Sequence, residues 1–72
     1  MEYYENVLLA LAQSGANLEM RSGTNYSSLE KIAKIVKVKK SHLTISSRLI
    51  NAKKAVEFAN MLGNQLTIIH EK

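Results

Sequence analysis

Cysteine, proline and tryptophan are absent from this 72-residue chain, glycine occurs three times, and aromatic residues make up 6% of it. Without cysteine there is no disulfide framework, and an intracellular, reducing compartment suits the chain. The two histidines, His42 and His70, are too few and too scattered to hold a structural zinc ion. No run approaches the roughly 20 continuous apolar residues that cross a bilayer. The opening residues, Met1, Glu2, Tyr3, Tyr4 and Glu5, are acidic where a secretory signal would be basic. These absences predict a soluble cytoplasmic protein. No low-complexity tract is present, and a 46% hydrophobic share argues against disorder.

Signs of catalysis are missing as well. Serines are plentiful, but none stands in a nucleophile-elbow sequence. Gly23 is solitary in its loop and makes no phosphate-cradling turn of the Walker or dinucleotide type. Glu2 and Glu5 suit the first turn of a helix, where carboxylates favour the positive end of its dipole. We therefore expect neither an enzyme nor a cofactor. A single domain of this length buries only roughly 60% of the surface that its unfolded chain exposes. With disulfides and metal lacking, self-association is the remaining source of extra stability.

What the chain does have is a repeat. Sliding it against itself aligns residues 17–20 (NLEM), 42–45 (HLTI) and 65–68 (QLTI), at offsets of 25 and 23. Helical positions then fall into line as Tyr4/Leu29/Ala52, Val7/Ile32/Ala55, Leu8/Ala33/Val56 and Leu11/Val36/Ala59. The template is the stretch 28–45, an amphipathic helix followed by an alternating strand.

Taken in order, the spacing of Tyr4, Val7, Leu8 and Leu11 predicts a helix over 2–14 stopped by Gly15, with Leu9 as an exposed exception. A strand over 17–21 points Leu18 and Met20 one way, Glu19 and Arg21 the other. A turn-rich loop over 22–27 follows, leaving the carboxyl end of a strand. The second helix, over 28–40, starts at Ser28 or at a capping box of Ser27 and Glu30, and buries Leu29, Ile32, Ala33 and Val36. Lys40 stands where the repeat has Gly15 and Gly63, so a looser or differently wound helix end is expected there. The strand over 42–46 turns Leu43 and Ile45 inward, Thr44 and Ser46 outward. A third helix, capped by Asn51, carries a smaller stripe of Ala52, Ala55, Val56, Ala59 and Leu62, with Phe58 and Met61 filling space alongside. The last strand, over 65–70, sends Leu66 and Ile68 inward, Thr67 and Ile69 outward.

Strands separated by helices call for parallel pairing, and right-handed crossovers in sequence order put both connecting helices on one face. The polar alternate residues leave the other face bare. The expectation is a two-layer α/β fold in one domain over 1–72, a short βα-repeat of order α-β-α-β-α-β with a three-stranded parallel sheet. Its layout resembles that of leucine-rich and other βα-repeat proteins, although the LxxLxLxxN signature is absent.

Two surfaces then compete for a function. The outer sheet face and edge, with Glu19, Arg21, Thr44, Ser46, Thr67 and Ile69, suit a homodimer, a higher homo-oligomer or a protein partner. A lysine stripe of Lys31, Lys34, Lys37, Lys53 and Lys54 on the helices suits a nucleic-acid backbone. Charge is polarised, −3 over residues 1–30 and +7 over 31–72, which can orient either encounter. Few aromatics are free to stack on bases and only two residues are arginine, so the assembly reading comes first. His42 shares its strand-entry position with Asn17 and Gln65, which assigns it a structural hydrogen bond.

Overall fold

The repeat register reappears in space. In the computed structural model, which describes residues 5–21 and 25–71, the elements run α1 (Glu5–Gln13), β1 (Leu18–Met20), α2 (Tyr26–Lys39), β2 (Leu43–Ser46), α3 (Ala52–Leu62), a 3-10 turn (Gly63–Gln65) and β3 (Leu66–Ile69). The strands pair parallel in the order β1-β2-β3, with Leu18 opposite Leu43 and Leu43 opposite Leu66. Those leucines are the ones aligned by offsets of 25 and 23 in the sequence. One core joins the helices to the inward strand residues Met20, Leu43 and Ile45. The expected residues 2–4 of the first helix and 22–24 of the loop lie outside the described residues.

α2 is the keystone, packed between α1, α3 and the sheet. Leu29, Ile32, Ala33 and Val36 are all fully buried, as their spacing predicts. Its start differs from the expectation. Asn25, and neither Ser27 nor Ser28, is the cap: its Oδ1 accepts from the Ser28 amide at 2.9 Å, and Ser27 Oγ donates to the same oxygen. Ser28 is thereby carried a turn inward, where it is buried and donates to Glu5 of α1 at 2.7 Å.

That bond lies on the face of α1 turned toward α2. Glu5, Leu8 and Ala12 share one i, i+3, i+7 line facing α2, so Leu8 and Ala12 are buried while Val7 is 40% exposed. Val7 is thus corrected from core to surface. Leu9, expected outside, packs against the core.

α3 is rotated from its repeat alignment as well. Asn51 caps it, accepting from the Lys54 amide at 2.8 Å, but Phe58 and Leu62 are its buried residues, whereas Ala52 and Ala59 are exposed and Val56 is 59% exposed. Size decides this. A helix with apolar residues on two adjoining stripes turns the larger ones inward, because stabilisation grows with apolar area removed from water.

Helix ends repeat down to single bonds. After α1, Gly15 (φ 87°) lets the Ala16 amide reach the Leu11 carbonyl at 3.2 Å; after α2, Lys40 lets the Ser41 amide reach Val36 at 3.3 Å. The expected loosening does not occur. Lys40 instead takes the left-handed conformation itself, with φ 58°. A residue with a Cβ pays roughly 1–2 kcal/mol for that conformation. Lys40→Gly is therefore expected to stabilise the protein by about 1 kcal/mol, read as a raised denaturant midpoint at unchanged slope.

Candidate interaction surface

The surface is built from the two sheet edges, the outer face, and the ends of the strands. Backbone bonds fix what each edge offers. The Leu18 amide donates to the His42 carbonyl at 3.0 Å, and the Ser47 amide donates to the Ile69 carbonyl at 2.9 Å. Since backbone groups of successive strand residues point to opposite sides, Leu18 and Met20 face β2 from one flank, Thr67 and Ile69 from the other. The N–H and C=O of Glu19 and of Ile68 consequently point away from the sheet. At β3 the amide of Leu66 is spent on the Gly63 carbonyl. Ile68 is thus the residue of β3 with both backbone groups open.

The edges differ in protection. Glu19 and Arg21 are both exposed and form an ion pair, which holds the Arg21 guanidinium above its ordinary pKa. Charge at β1 discourages strand addition. β3 carries Leu66, Thr67, Ile68 and Ile69, without charge, proline or glycine.

Across the outer face, Thr44 is half-buried, Thr67 exposed and Ile69 half-buried. His42 Nε2 lies 2.6 Å from Thr67 Oγ1, and the His42 amide donates to Asn17 Oδ1 at 2.8 Å. Gln65, at the same repeat position, donates to the Val36 and Ser41 carbonyls at 2.9 Å each. Asn17 and His42 thus link neighbouring strands, whereas Gln65 ties the entry to β3 to the end of α2.

Ser46 departs from its expected place. It is fully buried, because the chain after β3 folds across the ends of the strands and brings Glu71 onto it; Ser46 Oγ donates to that carboxylate. Arg21 Nη1 and Arg48 Nε stand 3.6 and 3.8 Å from the same carboxylate, and the Glu71 amide donates to Ser47 Oγ at 2.8 Å. Sequence reasoning missed Glu71, Ser47 and Arg48. The only available signal was that the residues lie after successive strands, where parallel sheets gather their binding groups.

The lysines do not form an uncompensated stripe. Lys31 pairs with Glu5 at 3.4 Å, Lys34 with Glu30 at 4.0 Å and Lys54 with Glu57 at 3.6 Å. Lys31 leans toward α1, whereas Lys54 lies 5.0 Å from the centre of the Tyr26 ring. Lys37 and Lys53 are exposed.

Glu5, held by the Ser28 hydroxyl and then by Lys31, has its pKa lowered. A lowered carboxylate contributes stability that is present above its unfolded value, about pH 4, and lost as pH falls through the folded one. Acidification below about pH 4 is accordingly expected to loosen α1 from α2. An NMR titration checks this: Ser28→Ala should move the Glu5 midpoint upward, and an unchanged midpoint would contradict it.

Among the described residues no group of histidine and carboxylate side chains is placed to hold a metal ion, and no helix is long and apolar enough to cross a membrane. No family model, curated protein or solved structure matches the chain.

Proposed function

We propose that this protein is a non-enzymatic assembly module whose β3 edge pairs with β3 of a second copy. The observation that carries the reading is an outer strand with open backbone groups at Ile68 and no charged residue, proline or glycine in it. Both copies use the same patch, so the contact is two-fold and closed. A two-fold axis normal to the sheet runs the two β3 strands antiparallel. In an antiparallel ladder a residue can exchange both of its backbone bonds with the residue opposite. Ile68 therefore sits on the axis facing its own copy, Thr67 opposes Ile69, and two three-stranded sheets become one of six. Small size adds to the argument, since a chain this short gains most from covering its remaining apolar surface. Because Lys31, Lys34 and Lys54 each pair with a carboxylate, nucleic-acid binding is the secondary reading.

Sedimentation equilibrium at micromolar concentration is expected to give twice the 8.1 kDa chain mass. Thr67→Lys brings like charges to the new seam and should weaken association by about tenfold or more, roughly 1.4 kcal/mol. A mass of 8.1 kDa at every concentration would overturn the proposal. So would retention on an oligonucleotide that falls steeply with salt while the protein stays monomeric.

A further inference from the structure

We propose that the carboxyl end of the sheet is a phosphate-binding site, and that Glu71 is its internal occupant. Three donors from separate parts of the chain converge there on one carboxylate: the hydroxyl of Ser46 at the end of β2, Arg21 just past β1, and Arg48 in the turn leading to α3. Ser46 is fully buried, which an incidental surface contact would not require. Its Oγ also accepts from the Arg48 amide at 3.2 Å, so the hydroxyl is held in place with its proton directed at the occupant.

The fit of Glu71 to the arginines is loose. Charge-assisted bonds of this kind close to about 2.7–2.9 Å, whereas the arginine nitrogens stand at 3.6 and 3.8 Å. A carboxylate has two oxygens in one plane and satisfies Ser46 first. A phosphate presents three or four oxygens on a tetrahedron, enough to meet the hydroxyl and both guanidinium groups together. Arg21 holds Glu19 through Nε and reaches Glu71 through Nη1, so its two contacts use different nitrogens. Glu71 lies beyond β3, outside any helix or strand, so it can leave without unpairing the sheet.

The test is an NMR titration of inorganic phosphate, with acetate in parallel, into the wild type and into Glu71→Ala. Emptying the site should raise phosphate affinity at least tenfold over wild type, with shifts confined to Arg21, Ser46, Ser47 and Arg48. Arg21→Ala or Arg48→Ala in the Glu71→Ala background should remove that gain. Glu71→Gln, which keeps the side chain's shape without its charge, serves if the alanine variant does not fold. Unfolding of both variants would overturn the proposal, since Glu71 would then be part of the fold and not an occupant. Equal response to acetate, an affinity unchanged by Glu71→Ala, or shifts centred on Lys31, Lys34 and Lys37 would do so too.

Discussion

Phe58→Ala is expected to cost about 3–5 kcal/mol, the largest loss from any single truncation in this chain. The ring is 1% exposed, faces Tyr26 at 5.6 Å between centroids with 34° between planes, and joins α3 to the core beneath α2. Removing the ring leaves a cavity beside Tyr26, and because neighbouring side chains relax only partly into such a space, the cavity adds to the lost transfer energy. A protein of this length has a total stability of roughly 4–11 kcal/mol. The variant should therefore be substantially unfolded, or melt some tens of degrees lower, at about 4–8 °C per kcal/mol. Val56→Ala, on the same helix, should stay within about 0.5 kcal/mol. Thermal melts of the two variants check the rotation of α3. Comparable losses at the two positions would contradict it.

Leu43→Ala should be the second most damaging, at about 2–5 kcal/mol. Leu43 lies in the central strand, paired with Leu18 on one side and Leu66 on the other, and is fully buried, whereas those two partners are half-buried. One repeat position thus has three different burdens. Leu18→Ala and Leu66→Ala keep a partly solvated side and should each cost less than half as much as Leu43→Ala, measured by urea unfolding at constant slope. Equal costs for the three leucines would mean that the strands do not lie in the order β1-β2-β3.

Sheet order and register were legible because the strand motif NLEM/HLTI/QLTI repeats with its leucine in one place, and parallel pairing follows from helices between the strands. The buried stripe of α2, Leu29, Ile32, Ala33 and Val36, was legible, since these residues form one continuous apolar line. α1 and α3 were not. Each has apolar residues on two adjoining stripes, and alignment to α2 selects the equivalent positions, Val7 and Val56, whereas packing selects the line through Ala12 and the bulk of Phe58. The α2 cap was missed because Asn25, Ser27 and Ser28 are all competent and only the sheet-to-helix path chooses among them. Glu71 reads in the sequence as one more surface charge. Its contacts to Ser46 and Arg21 span 25 and 50 positions and exist only once the sheet has closed.

The open β3 edge carries the functional account, and hydrogen exchange at single amides tests it most directly. Ile68 and Glu19 both direct their N–H groups out of the sheet, on opposite flanks. Raising the protein concentration should slow exchange at Ile68 and leave Glu19 fast. Equal, concentration-independent exchange at the two amides would contradict pairing through β3.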